Sequence, residues 1–105
     1  MNKLIITAIE QRRLLKLAYS AGNRIVEPHV YGLDGDEKEL LRCYQIGGES
    51  VSRERYGWKL LRAPDIADAE VLDVRFEPRA GYNPDDPAIR KVYARVEGPP
   101  APRTR

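Results

Sequence analysis

Apolar side chains near the start of the chain recur at helical spacing. Over residues 2–11 they form one stripe, which is the pattern of an amphipathic helix. The stripe consists of Leu4, Ile5, Ala8 and Ile9. Asn2 is a favourable N-cap residue, and Glu10 with Arg12 and Arg13 ends the apolar stretch in charged side chains. The pattern therefore predicts one short N-terminal helix.

From Leu14 onward the period changes to the alternation of two that is typical of β-strands. The predicted extended segments are residues 14–19, 24–33, 39–46, 55–61 and 66–76, the last of which includes a short connection. They are separated by turn-forming residues, namely Ser20-Ala21-Gly22-Asn23, an Asp34-Gly35-Asp36 hairpin tip and a Gly47-Gly48-Glu49-Ser50 break. Pro28 cannot donate a ladder hydrogen bond, so we expect it at a sheet edge or a bulge. Short strands at this spacing predict a small antiparallel β-barrel.

The last part of the chain allows two interpretations. After Asp85-Asp86-Pro87, apolar residues recur at i, i+3, i+4 and i+7, which predicts a short C-terminal amphipathic helix. These residues are Ile89, Val92, Tyr93 and Val96. The alternation of Val92, Ala94 and Val96 also fits a strand. We expect residues 1–97 to form one domain and residues 98–105, rich in Pro and Arg, to form a disordered tail.

Composition and charge narrow the class of protein. Of the 105 residues, 42% are hydrophobic and 32% are charged, which is typical of one globular domain. The net charge of +2 does not indicate general adhesion to nucleic acid or to a membrane, so any anion site has to be local. No apolar run approaches the roughly 20 residues of a membrane-spanning helix, and no signal peptide is evident. With a single cysteine, Cys43, we expect a reduced, cytoplasmic protein without a disulfide.

Polar and aromatic residues on neighbouring predicted strands suggest a binding surface. Alternation places His29 and Tyr31 on one face of the second strand, together with Glu27. If that strand pairs with the third, His29 and Tyr31 meet Arg42 and Tyr44. Guanidinium groups beside aromatic rings suit a phosphate, a carboxylate or a nucleobase. The plainer alternatives are a structural, hydrogen-bonded His29, tyrosines that belong partly to the core, and arginines on a solvated surface.

Sequence patterns of catalytic and metal sites are missing. The chain contains no Gly-rich phosphate loop, no G-x-S-x-G, no H-E-x-x-H and no second histidine. Cys43 is expected to be a small buried apolar residue, and no suitably spaced metal ligands occur. We therefore predict a protein that is not an enzyme and has no cofactor or metal. Carboxylate chemistry at Glu27 with His29 is the remaining catalytic alternative.

Four stretches of the chain resemble the WYL-domain family, in particular its short stand-alone bacterial members. They are Arg24-Ile25-Val26-Glu27-Pro28-His29-Val30-Tyr31-Gly32, Leu41-Arg42-Cys43-Tyr44-Gln45, Gly57-Trp58-Lys59-Leu60-Leu61-Arg62 and Phe76-Glu77-Pro78-Arg79. The resemblance covers about residues 4–96. The chain departs from the family at the tripeptide for which the family is named, which is replaced by Glu39-Leu40-Leu41, and at the second arginine-rich block, Trp58 to Arg62.

The resemblance implies a fold and a function. The fold is an Sm-like or SH3-type small β-barrel with an N-terminal helix and a short C-terminal helix. The function is regulatory, because WYL domains bind nucleotides or single-stranded nucleic acid in bacterial transcription factors and phage-defence systems. In those regulators a winged helix-turn-helix comes first, and about ten residues before the barrel leave no room for one, so we do not expect a complete repressor. The ligand-binding residues implied are Tyr19, Arg24, His29, Arg42, Tyr44, Lys59 and Arg62.

The sequence thus leaves two main hypotheses for function. The first is a non-catalytic regulatory module that binds a small anionic ligand, either a nucleotide or a short single-stranded nucleic acid. The second is an interaction module that docks on a separate DNA-binding or effector protein, or on a second copy of itself, through its strand edges or its C-terminal segment. Neither hypothesis includes a membrane as a binding partner.

Overall fold

The computed structural model describes residues 1–19, 22–48 and 56–98. The described ranges contain one α-helix, α1 (Lys3–Glu10), and a 3-10 turn at Ala63–Asp65. Their strands are β1 (Arg13–Tyr19), β2 (Gly22–Leu33), β3 (Glu39–Gly48), β4 (Gly57–Arg62), β5 (Ile66–Arg75) and β6 (Lys91–Arg95). In this part of the chain, no helix has the length and apolar character needed to cross a membrane.

The strands form one antiparallel sheet in the order β4-β3-β2-β1-β5, and β6 pairs separately with β2. This confirms the expectation of a mainly antiparallel β fold with an N-terminal helix. Among the described residues β4 and β5 form no ladder with each other, so the path of hydrogen-bonded strands does not close. The 3-10 turn links these two edge strands directly.

Helix α1 begins where the sequence predicts. The Asn2 side-chain oxygen accepts hydrogen bonds from the backbone N–H groups of Leu4 (2.9 Å) and Ile5 (3.3 Å), which satisfies two donors at the helix start. Its buried stripe, Ile5, Ala8 and Ile9, belongs to the hydrophobic core. The helix packs against β1, β2, β5 and β6, so it covers the core from one side.

Strand β2 contains a bulge next to Pro28, as its missing N–H predicts. Pro28 lies opposite Cys43 and Val30 lies opposite Arg42, so His29 is an extra residue on β2. The bulge shifts the alternation, and Tyr31 therefore lies opposite the buried Leu41 rather than beside Arg42. The expected meeting of Tyr31 with Arg42 and Tyr44 is wrong for this reason.

The connection between β2 and β3 is longer than a tight Asp-Gly turn. It comprises residues 34–38, and the left-handed residue is Glu37 (φ 63°). The Asp34 carboxylate accepts from the backbone N–H groups of Asp36 (2.8 Å) and Lys38 (2.9 Å), which makes this side chain the organiser of the loop. The expected break at Gly47-Gly48 is also wrong, because β3 continues through Gly48.

The predicted C-terminal helix is wrong, and the alternative strand is correct. Strand β6 pairs with β2 over residues 30–33, which lie beyond the part of β2 that pairs with β1. The carbonyl oxygen of Lys91 approaches Gly32 so closely that a Cβ there would lie 2.1 Å from it. A strand at this position supplies partners for a free β2 edge, which a helix would leave unpaired. The predicted disordered tail lies outside the described residues from residue 99 onward.

Candidate functional site

The seven predicted ligand-binding residues divide between the two faces of the sheet. Along β3, Leu41, Cys43 and Gln45 are buried and face the core. Arg42 and Tyr44 alternate with them and therefore face the other side, together with Trp58, which lies opposite Tyr44 on β4. The sequence expectation of one shared hollow is not met, because the strand alternation separates Arg42 and Tyr44 from Arg24.

On the core face, Arg24 is almost completely buried, with 6% of its surface exposed. Its guanidinium carbon lies 4.7 Å from the centroid of the Tyr19 ring, which is a cation–π contact. One Nη donates a long hydrogen bond of 3.4 Å to the side-chain oxygen of Gln45. The buried Nε has no hydrogen-bond partner among the described residues.

The charge of Arg24 is uncompensated within the described residues. None of the carboxylates of residues 1–19, 22–48 and 56–98 forms an ion pair with it. A buried charge without a counter-charge is costly, and an unsatisfied buried donor adds roughly 1–3 kcal/mol. Arg24 is therefore held in an environment in which an anion would be favourable.

Lys59 completes this group, which we call the Arg24 cluster: Tyr19, Arg24, Gln45 and Lys59. Lys59 lies opposite Cys43 in the β3–β4 ladder and so is on the same face as Gln45. The Tyr19 hydroxyl accepts a hydrogen bond of 3.3 Å from the backbone N–H of Arg62. The Arg62 side chain itself is largely exposed and lies 3.7 Å from Asp65, so Arg62 contacts Tyr19 through its backbone and is not part of the cluster.

Cys43 is completely buried in this region of the core. Burial raises the pKa of its thiol to about 12, although the positive charges of Arg24, Arg42 and Lys59 act in the opposite direction. A thiol with such a pKa is protonated at neutral pH, and a protonated thiol is a poor nucleophile.

On the opposite face, Arg42 forms an ion pair with Asp86. Its Nε donates to one carboxylate oxygen at 2.6 Å, and an Nη donates to the other at 3.4 Å. The second oxygen also accepts from the backbone N–H of Ala88 at 3.0 Å. Burial alone raises the pKa of Asp86, but the hydrogen bonds from Arg42 and Ala88 and the charge of Arg42 outweigh it, so the pKa is lowered.

Tyr44 contacts a second compensated arginine. The guanidinium carbon of Arg79 lies 4.1 Å from the Tyr44 ring centroid. The same guanidinium donates hydrogen bonds of 3.0 and 2.8 Å to the two carboxylate oxygens of Glu27. The Trp58 ring meets Tyr44 edge-on, with the centroids 5.4 Å apart. This face is therefore a layer of rings and paired charges.

His29 is fully buried beneath that layer. Its ring lies 4.8 Å from the ring of Trp58, 5.2 Å from that of Phe76 and 4.9 Å from that of Tyr82. One ring nitrogen, Nδ1, is 2.8 Å from the carbonyl oxygen of Glu27, and the other accepts from the backbone N–H of Arg79 at 3.1 Å. Both nitrogens are therefore occupied by protein, and the ring has no surface to offer a ligand.

The structure thus brings Tyr19, Arg24 and Lys59 to one face, whereas the side chain of Arg62 alternates with the buried Leu61 and is on the other face. It places Arg42 and Tyr44 on the other face and His29 below them. Sequence reasoning did not include four residues that complete these arrangements: Gln45, Trp58, Arg79 and Asp86. Arg79 and Trp58 occur in the stretches that carry the family resemblance. The ion pair of Asp86 depends on a contact with Arg42 across 44 residues of chain, which no local pattern indicates.

No group of three or more His, Cys, Asp or Glu side chains suited to hold a metal ion occurs in the described ranges. No protein-family model, curated protein or solved structure matches the chain. The functional argument therefore depends on the geometry of the chain's own residues.

Proposed function

We propose that the protein is a non-catalytic regulatory module that binds a small anionic ligand, a nucleotide or a short single-stranded nucleic acid, at the Arg24 cluster. One observation carries this proposal: Arg24 is buried, one of its donors is unsatisfied, and none of the described carboxylates compensates its charge. A ligand phosphate supplies both the charge and the acceptor oxygens that Arg24 lacks.

The neighbours of Arg24 favour a phosphate attached to a ring system. The Tyr19 ring and the Gln45 side chain contact the guanidinium, and Lys59 lies on the same face of the sheet. Arginine beside an aromatic ring is a combination that binds bases and phosphates of single-stranded nucleic acid. Because the Arg24–Gln45 hydrogen bond is long, we propose that the ligand replaces it.

The resemblance to WYL domains supports the same proposal. The order β4-β3-β2-β1-β5, with a 3-10 turn between β4 and β5, is the arrangement that we assign to an SH3- or Sm-type barrel. The residues of the Arg24 cluster lie on strands that carry the resemblance, except for Tyr19, which lies on the adjacent strand β1.

The geometry at Glu27 and His29 favours a structural role over the catalytic alternative. Both carboxylate oxygens of Glu27 accept from Arg79, and both nitrogens of His29 are hydrogen-bonded. Burial lowers the pKa of His29 to about 4, so the ring is neutral at physiological pH. These groups are engaged with the protein rather than arranged around a substrate.

The second hypothesis, docking on another protein, retains one supporting observation. In the described part of the chain, β4 pairs only with β3 and β5 pairs only with β1, so each has an edge that an added strand can use. The C-terminal stripe no longer supports it, since Ile89 and Val96 are buried in the protein's own core. Light scattering tests this hypothesis, because a strict monomer that captures no partner contradicts it.

Fluorescence anisotropy with a short, fluorescein-labelled oligothymidylate tests the proposed function directly. The parent protein is expected to bind, adenosine monophosphate is expected to compete, and added salt is expected to weaken binding because the interaction is ionic. Arg24→Gln removes the charge while keeping a polar side chain, and it is expected to lose at least tenfold in affinity. Arg90→Gln makes the same change at an exposed arginine and serves as the matched control.

Two results would contradict the proposed function. The first is an absence of saturable binding by the parent protein for both probes. The second is equal affinity of the Arg24→Gln and Arg90→Gln variants, because such a result assigns any binding to general surface charge.

A further inference from the structure

The face opposite the Arg24 cluster contains a cavity, which we call the Trp58 pocket. Its volume is about 230 Å³. The apolar part of its lining includes Trp58, Gly81 and Pro87, and the polar part consists of Arg42, Asn83 and Asp86. The volume lies below the range of about 300–1,000 Å³ that is usual for drug-sized ligands, so the pocket has room for a single ring with small substituents.

The donors and acceptors that line the Trp58 pocket differ in how far their hydrogen bonds are already used. Both oxygens of Asp86 already accept hydrogen bonds, from Arg42 and from Ala88. Arg42 uses Nε and one Nη in this pair, and its other Nη has no partner among the described residues. The Asn83 side-chain oxygen accepts from the backbone N–H of Asp85 at 3.0 Å, whereas its amide N–H groups have no partner within the same ranges. Among the described residues the pocket therefore offers free donors, whereas three of the roughly four acceptor sites of the Asp86 carboxylate are already used.

The electrostatics of this pocket also differ from those of the Arg24 cluster. The positive charge of Arg42 is balanced by the Asp86 carboxylate at 2.6 Å, so this ion pair has no net charge and does not need an additional anion. A multiply charged phosphate would gain little from a guanidinium that is already paired, and it would be repelled by the Asp86 carboxylate. An uncharged ligand avoids this repulsion and still meets the free N–H donors.

We propose that the Trp58 pocket is a second binding site, specific for a small, uncharged, planar ring that carries carbonyl acceptors. The indole ring supplies the aromatic surface, and the N–H groups of Arg42 and Asn83 donate to the carbonyl oxygens. This site is separate from the proposed anion site, because Arg42 and Trp58 face away from Arg24.

Trp58 makes the proposal directly measurable, since it is the only tryptophan of the chain. Its indole N–H gives one assigned signal in a nitrogen–proton correlation spectrum, and that signal reports on the pocket. Uracil is the probe, because it is planar, uncharged and carries two carbonyl groups. Dihydrouracil is the matched comparison ligand, because it keeps both carbonyl groups and loses the planar, unsaturated ring. Uracil is expected to shift the indole signal saturably, and dihydrouracil is expected to bind several-fold more weakly.

Asn83→Asp is the matching protein variant. It keeps the side-chain oxygen that accepts from Asp85 N–H, removes the amide donors and adds a negative charge, so uracil binding is expected to weaken about tenfold or more. Gln11→Glu makes the same amide-to-carboxylate change at an exposed residue outside the pocket and is expected to bind like the parent. An unchanged set of remaining signals shows that each variant is folded.

The proposal is overturned if uracil produces no saturable shift of the indole signal, if dihydrouracil binds equally well, or if Asn83→Asp binds like Gln11→Glu. Arg24→Gln separates this proposal from the anion site. Retained uracil binding in that variant supports an independent site, and a parallel loss of both ligands contradicts it.

Discussion

The backbone N–H of Arg79 donates a hydrogen bond of 3.1 Å to Nε2 of His29. Since Nε2 is the acceptor, the proton of the neutral ring resides on Nδ1 and is donated to the Glu27 carbonyl oxygen at 2.8 Å. His29 therefore links the segment that follows β5 to the bulge of β2. Protonation of Nε2 would turn this acceptor into a donor, and it would then face the N–H group of Arg79, which is itself a donor.

Acidification is expected to destabilise the protein through His29. Burial is the largest influence and lowers its pKa from 6.5 to about 4; the positive charge of Arg79 also lowers it, and the bond to Glu27 raises it. The unfolded chain binds this proton below about pH 6.5, whereas the folded protein binds it only near pH 4. The free energy of unfolding therefore keeps its full value above about pH 6.5 and falls by about 3 kcal/mol as the pH approaches 4.

Urea unfolding at a series of pH values measures this loss. Histidine is the side chain whose ordinary pKa lies in the window between about pH 7 and pH 5, and His29 is the only histidine, so we assign the slope in that window to it. His29→Asn is the control and is expected to show a flat profile there, whatever its absolute stability. An equal slope in both proteins would refute the assignment.

Arg24→Met is expected to stabilise the protein in the absence of ligand. The substitution removes a buried charge that lacks a described counter-charge and keeps an unbranched apolar side chain beside Tyr19. Replacement of poorly compensated buried charges by apolar residues often stabilises, and we expect about 1 kcal/mol. Chemical denaturation gives the difference. A loss of stability of similar size would mean that Arg24 is a structural residue, which would remove the main support for the anion site.

The Arg42–Asp86 pair is expected to show strong energetic coupling. Asp86 is nearly buried and Arg42 is partly exposed, so the pair lies between a surface and a core ion pair. A double-mutant cycle with Arg42→Met and Asp86→Asn is expected to give a coupling free energy of about 2 kcal/mol. The asparagine keeps an acceptor for the Ala88 N–H, which limits the cycle to the ion pair. A coupling near zero would contradict the balanced charge that we assign to the Trp58 pocket.

Gly48 and Gly47 are expected to respond differently to the same substitution. At Gly48, with φ of 88°, an added Cβ would lie 2.2 Å from the carbonyl oxygen of Asn23 and 2.6 Å from Cα of Arg24. Both of these atoms belong to the backbone, so Gly48→Ala is expected to cost about 2 kcal/mol or more. At Gly47 the nearest atom is a side-chain carbon of Ile25 at 3.6 Å, an ordinary contact.

Thermal or urea unfolding of the Gly48→Ala and Gly47→Ala variants checks this difference. Gly47→Ala is the control and is expected to change stability by less than about 1 kcal/mol. Because Gly48 pairs with Arg24 in the β2–β3 ladder, Gly48→Ala is also expected to weaken ligand binding at the Arg24 cluster. Equal stability of the two variants would show that β3 does not approach β2 as closely as the structure indicates.

The elements that the sequence predicts correctly are those that depend on local physics. Asn2 caps α1 because its side chain reaches N–H groups two and three residues away. Pro28 marks a bulge because it has no N–H to donate. The helix prediction for the C-terminal segment is wrong for a reason that is not local. Ile89 to Val96 has helical spacing, yet β6 forms because β2 extends beyond β1 and leaves an edge that needs hydrogen-bond partners.

The candidate site likewise combines features that the sequence predicts with features that depend on strand pairing. The resemblance to WYL domains predicts Tyr19 and Arg24 as ligand-binding residues, and the structure places them together on the adjacent strands β1 and β2. The resemblance placed Arg42 in the same hollow as Arg24, but strand alternation puts Arg42 on the opposite face of the sheet. The extra residue in β2 separates Tyr31 from Arg42. The partner of Arg42 is Asp86, which is 44 residues away in the chain, so no residue pattern in a single strand reveals it.

Residue types and their spacing were enough to predict a small, mainly antiparallel β fold with a capped N-terminal helix. They also suggested that cationic and aromatic side chains come together. Strand pairing decided on which face of the sheet each of these side chains lies. It left Arg24 buried without a described counter-charge on one face, and it matched Arg42 with Asp86 on the other. The reason is physical: propensity and periodicity act over a few residues, whereas the electrostatic environment of a side chain is set by groups that are distant in sequence and close in space.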